Sequence, residues 1–230
     1  MEYFNILLFI IICLSLRINS EIISNENEFL KIISGDKENL ELHIKNEINF
    51  NDNVNINKSF NKISIIGNST KNSKLNFINL YKKLSFSEKV NEIEIINLSI
   101  TGNVYFNNSK KITINNVSIK GYINSNFDKI NNENVKISNF IYNTSNYSSN
   151  VCVNLGGNVE IENSKFYGSS SCQERLFDFN GLDKYKLSIK NSYFSGEYGC
   201  PCLQVNNSTN SYIEDSIIEK AFSPYGSTGG

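Results

Sequence analysis

Tryptophan is absent, methionine is confined to position 1, proline occurs twice and histidine once, at His43. One histidine leaves a Ser/His/Asp relay without a partner at any supporting spacing, and it rules out zinc sites that need a histidine pair. Neither sign of charge dominates: 22 Lys and Arg stand against 23 Asp and Glu, for a net charge of −1. A nucleic-acid footprint needs a basic surplus, and a membrane-surface helix needs a basic amphipathic run; the sequence has neither. No Gly-rich phosphate loop of the G-x-x-x-x-G-K-[S/T] or G-x-G-x-x-G kind occurs. The longest apolar run, residues 6–16, is well short of the roughly 20 residues a bilayer span requires.

That run is followed by Ile18, Asn19 and Ser20, with a small residue before Glu21. The pattern reads as a secretory signal peptide over residues 1–20, cut near Ser20 and Glu21. Cys13 leaves with it, so Cys152, Cys172, Cys200 and Cys202 remain. In an exported chain, four cysteines favour disulfides over metal. The C-P-C spacing at 200–202 also lacks the form of a zinc site.

What the sequence has in abundance is one word. It reads ISIIGNS from Ile63, IEIINLSITG from Ile93, ITINNVSIKG from Ile112 and VKISNFIY from Val135. It returns as VEIENSKFYG from Val159, LSIKNSYFSG from Leu187 and SYIEDSII from Ser211. A period of roughly 20–30 residues with variable loops is that of a solenoid. Alternation at period 2 argues for strands. Three inward columns follow. The first begins Ile63, Ile93, Ile112; the second Ile65, Ile95, Ile114; the third runs Ile100, Ile119, Tyr142, Phe166, Phe194, Ile218. Each buried Ile or Phe contributes about 1.5–3 kcal/mol, provided successive strands stack in register about 4.8 Å apart.

Between the second and third columns stand Asn97, Asn116, Asn139, Asn163, Asn191 and Asp215. Asn tolerates the left-handed conformation of a sharp corner. Stacked amides could also form an inward ladder, each donating to the next, which spares a buried amide the cost of lacking a partner. Second strands are expected in NVYF (103–106), VCVNL (151–155), RLFDF (175–179) and CLQV (202–205). These words together resemble the right-handed parallel β-helix family, the pectin-lyase-like superfamily, over roughly residues 60–220. The resemblance implies an all-β, single-stranded parallel β-helix with a short N-terminal capping helix. The stretch 24–35 suits that helix, with Ser24 or Asn25 as N-cap, Phe29, Ile32 and Ile33 on one face, and Gly35 as the stop. The expected organisation is a capping segment at 21–39, coils at 40–222 and a Gly/Ser-rich end at 223–230. That end offers nothing to cover the last coil, as in the N-terminal part of a longer solenoid.

Cys172 and Cys200 each lie 13 residues after the first inward position of their coil, Val159 and Leu187, so the spacing places them on adjacent coils within bridging reach. Cys152–Cys172 competes with that pairing. Cys152 and Cys202 align two coils apart, too far to bond.

Enzymes of the resembled family work on polysaccharides along an outward sheet face, with N-T-D, D-D and G-H-G motifs in hydrolases and acidic clusters with a basic residue in lyases. Here NTS at 143–145 lacks the Asp, no Asp pair occurs, and Arg175 is the one arginine beyond the leader. The Asp residues beyond the leader, including Asp128, are scattered. Glu160 and Glu162 share a face, but stacking sets Lys136 and Ser188 beside the first and Ser138 and Lys190 beside the second, a solvated charge ladder. Asp178 with Arg175 reads as a surface ion pair, and His43 as an exposed strand residue. Tyr167, Tyr193 and Tyr198 could stack on sugar rings. No catalytic residue, metal or cofactor is assigned. The expected function is a secreted or cell-surface repeat module that binds polysaccharide or an extracellular protein, or acts as a rigid spacer. The alternative is a polysaccharide lyase or glycosidase whose catalytic coils lie beyond residue 230. Nine N-x-[S/T] sequons occur. Asn68, Asn107 and Asn143 are expected to be open to glycans, and Asn97 and Asn116 to be closed to them by the inward ladder.

Overall fold

Period-2 apolar words joined by Asn corners have one economical solution: identical turns laid on top of each other. The computed structural model describes residues 19–107, 109–125, 134–145 and 148–223, and it has this architecture. Residues 1–18 of the expected signal peptide, Asp128, the sequon at Asn146 and residues 224–230 lie outside the described residues. Three parallel sheets wrap one core in about 8 turns. The first sheet has nine strands, from Asn19–Ile23 to Asn210–Glu214; the second has eight, from Glu47–Phe50 to Ile217–Glu219; the third has seven, from Val54–Ile56 to Leu203–Asn206. A typical coil contributes Lys111–Asn115, Ser118–Lys120 and Ile123–Ser125, one strand to each sheet.

The three apolar columns stand in the register read from the words. Ile63, Ile93, Ile112, Val135, Val159 and Leu187 are successive partners, and so are Ile65, Ile95, Ile114, Ile137, Ile161 and Ile189. Leu40 and Leu42 extend both columns downward. In the second sheet Ile100, Ile119, Tyr142, Phe166 and Phe194 follow one another, and the Phe166 and Phe194 rings stack at 4.5 Å. The core is therefore continuous from coil to coil.

At the N-terminal end the helix Glu26–Ile33 lies over the first coil. The Asn25 side chain caps it by accepting the Glu28 N–H at 3.0 Å, while the Glu28 carboxylate accepts the Ser24 N–H at 2.8 Å. Phe29 and Ile33 turn inward, and the Phe29 ring meets Phe50 edge-on at 5.3 Å. Across the expected cut between Ser20 and Glu21 the chain forms a strand, Asn19–Ile23, which pairs with Leu40–Ile44 and buries Ile23. The last coil is open by contrast: Ile213 is 46% exposed and Ile218 43%.

Two expectations are corrected. The Asn column is left-handed as expected, with φ of 56, 51, 51, 50 and 47° from Asn97 to Asn191 and 49° at Asp215. It does not point inward, however: Asn97 is half-buried and the others are exposed. A left-handed residue turns its side chain out of the corner, and the next residue turns in. The buried corner positions are Leu98, Val117, Phe140, Ser164 and Ser192. A single amide bond of the expected ladder is present among the described residues, Asn116 Nδ2 to Asn97 Oδ1 at 2.8 Å; Asn139 donates to Asn115 instead. The inner ladder is made of serines. Ser192 Oγ accepts the Ser164 N–H at 3.2 Å, Ser216 Oγ accepts the Ser192 N–H at 3.1 Å, and Ser164 Oγ accepts the Phe140 N–H at 3.3 Å. Each of these hydroxyls donates to the carbonyl two residues earlier in its own coil. Burial therefore does not shield Asn116 from glycosylation and shields Asn97 only in part.

The disulfide is Cys152–Cys172, with Cα atoms 5.4 Å apart, not Cys172–Cys200. The 28-residue offset that pairs Phe166 with Phe194 shrinks to 26 in the third sheet, where Phe177 pairs with Leu203. The turn into the third sheet shortens by two residues, which shifts Cys200 out of line with Cys172. Cys200 and Cys202 are free and buried.

Candidate functional site

Each sheet offers its outer face to solvent, and each face has a depression. On the first sheet the outward residues are matched in sign. Lys62 meets Glu94 at 2.9 Å, Lys136 meets Glu160 at 3.0 Å and Lys190 meets Glu214 at 2.9 Å. Glu160 and Glu162 have the neighbours expected of them, Lys136 with Ser188 and Ser138 with Lys190. His43 hydrogen-bonds Glu41 at 2.5 Å. These groups already have partners, so the face is a solvated charge ladder whose exposed pairs each contribute under about 1 kcal/mol.

The second sheet carries a shallow groove of about 760 Å³ over Ser99, Thr101, Ser118 and Lys120, with Tyr167 at one end. Tyr167 and Tyr193 lie on adjacent coils with ring centres 5.7 Å apart, while Tyr198 stands alone, 72% exposed. Asn143 lines this groove, whereas Asn68 and Asn107 are exposed on turns. The groove is the largest of the three, yet its lining has no buried polar group without a partner among the described residues.

The third sheet has a smaller cleft, about 250 Å³, lined by Tyr105, Tyr122, Asn124, Ser149 and Asn154. One outward column builds it. Ser85, Tyr105, Asn124, Asn154, Asp178 and Gln204 follow one another in register across six coils. Tyr122 stands just before Ile123–Ser125, where the Asn103 side chain accepts its N–H at 3.0 Å. The corner that brings it there needs a residue without Cβ: at Gly121, φ is 158° and a Cβ would lie 2.1 Å from the Gly102 carbonyl. Burial pushes the Tyr105 and Tyr122 hydroxyls above the ordinary tyrosine range. Lys83 sits over the Tyr105 ring, 4.8 Å from its centre. Arg175 donates to Asp178 at 2.9 Å, the expected surface pair, and to Glu174 at 3.2 Å.

Within the cleft, Asn124 Oδ1 is buried and accepts no hydrogen bond. A buried carbonyl without a donor costs about 1–3 kcal/mol, so folded proteins rarely leave one. A ligand hydroxyl would supply the missing donor. The strands that carry Tyr105 and Asn154 were expected, but the place of Asn124 was not readable in advance: Ile123–Ser125 is three residues long, too short to show alternation.

Among the described residues no group of three or more His, Cys, Asp or Glu is placed to hold a metal ion. Among the described residues no helix is long and apolar enough to cross a membrane. Burial pushes the Cys200 thiol up to about 11, and Cys202 Sγ donates to the Glu219 carbonyl at 3.3 Å.

The class that fold and faces define is a parallel β-solenoid with polar and aromatic outer surfaces. No family model, no curated protein and no solved structure matches the chain. The likeness to the pectin-lyase-like superfamily is one of coil pattern.

Proposed function

We propose that the chain is an exported, non-catalytic solenoid module that binds polysaccharide on its outer faces, with the third-sheet cleft as the contact that recognises the sugar. The observation that carries the reading is the unpartnered Asn124 carbonyl between Tyr105 and Asn154. Aromatic rings with adjacent amides suit sugars, because a ring packs on the apolar face while hydroxyls pair with amide groups. The carboxylates nearest the cleft are tied down: Asp178 is held by Arg175, and Glu174 shares the same guanidinium. This speaks for binding rather than acid–base chemistry. The Cys152–Cys172 bond supports an oxidising, extracellular setting.

Affinity electrophoresis through gels cast with soluble polysaccharides is the test. Retardation by at least one of them, lost in Tyr105→Ala with the fold intact, is the expected result. No retardation in any gel removes the reading. Release of unsaturated or reducing sugar ends during the run would replace it with the lyase or glycosidase alternative.

A further inference from the structure

We infer that the third-sheet cleft accepts a single uncharged sugar ring and discriminates against acidic ones; this rests on the polysaccharide-binding reading above. Size sets the first limit. At about 250 Å³ the cleft falls below the roughly 300–1,000 Å³ that holds a drug-sized ligand, so one ring of a longer chain fits and the rest runs over the surface.

Charge sets the second limit. The group in need of a partner, Asn124 Oδ1, is an acceptor, so it requires an N–H or O–H from the ligand. A carboxylate or sulfate brings only more acceptor oxygens. A hydroxyl both donates and accepts, which suits Asn124 and the adjacent Asn154 amide together. The cations near the column are not placed to rescue an acid at Asn124: Arg175 is held by Asp178 and Glu174, and Lys83 lies on the coil beyond Tyr105, on the side away from Asn124. Asp178 itself follows Asn154 in the same column and would repel an anion. A neutral polyol ring is what remains, packed against Tyr105 with a hydroxyl on Asn124.

The test is titration calorimetry of the disulfide-bonded chain with two panels of oligosaccharides, neutral hexose oligomers and oligogalacturonates. The expected result is binding of a neutral oligomer whose affinity changes less than about twofold between low and high salt, since no charge pair is screened. Asn124→Ala should weaken it by about tenfold or more, and Tyr105→Phe should leave it nearly unchanged. Should Asn124→Ala misfold, Asn154→Ala serves as the second variant, with circular dichroism as the fold check. Preferred, salt-sensitive binding of oligogalacturonate that Tyr105→Ala abolishes would overturn the inference while leaving the polysaccharide reading in place. Saccharide binding indifferent to both Asn124→Ala and Tyr105→Ala would place the site on another face and overturn the inference too. Silence from both panels would end both readings.

Discussion

Ser192→Ala and Asn191→Gly are neighbouring changes that should behave oppositely. Ser192 is 4% exposed, and its hydroxyl accepts the Ser164 N–H at 3.2 Å and donates to the Lys190 carbonyl at 2.7 Å. Alanine removes both bonds and leaves a buried N–H without a partner, at a cost of about 1–3 kcal/mol. With a urea slope of about 2 kcal/mol per molar, a loss of 2 kcal/mol lowers the unfolding midpoint by about 1 M. Asn191 is exposed and left-handed, and its backbone N–H reaches the Glu214 carbonyl whatever the side chain. Glycine adopts that φ without strain, so Asn191→Gly should cost less than about 1 kcal/mol. Urea unfolding measures the pair, and hydrogen exchange at the Ser164 amide localises the effect, with faster exchange in Ser192→Ala alone. A neutral Ser192→Ala beside a costly Asn191→Gly would refute the inner serine ladder and restore the asparagines to that role.

Three further outcomes are expected. Replacing Cys152 and Cys172 by alanine opens a 20-residue loop and should cost about 3 kcal/mol, and peptide mapping should find Cys200 and Cys202 alkylated only after unfolding. Tyr185→Phe removes a buried hydroxyl that has no partner; a gain of about 1 kcal/mol would raise the melting temperature by about 2–4 °C. Burial pushes the Glu94 carboxyl up, but hydrogen bonds from Lys62 and Ser64 outweigh it and hold the group below its ordinary range. The stability this supplies is present above the unfolded pKa and is lost as pH falls through the lower folded value. Lys62→Met should therefore be less stable than the parent at neutral pH, with the gap closing in acid; a pH-independent gap in urea titrations would contradict the assignment.

The sequence was most legible where a residue's duty is the same in every coil. Ile114 must meet Ile95 and Ile137 whatever the loops do, so period and spacing sufficed to place the first two sheets. The orientation of Asn116 was less accessible, because a positive φ exchanges inside for outside at one residue. The signal was present all the same: Leu98, Val117 and Phe140 directly follow the corner asparagines. The third sheet was the hardest. Its strands, such as Ile123–Ser125, are short, and the turns leading into them change length from coil to coil. The cysteine pairing and the Tyr105–Asn124 cleft both depend on that sheet's register, and neither could be obtained by counting residues.

The helix over the first coil also closes the end of the stack that is synthesised first. Phe29 and Ile23 shield the bottom of the stack using residues that leave the ribosome before any complete coil. Each coil pairs only with its neighbours, so no distant segment must arrive before the next one can dock. Growth of the native state can thus keep pace with translation, one rung at a time, and the exposed rim at any moment is simply the most recent one.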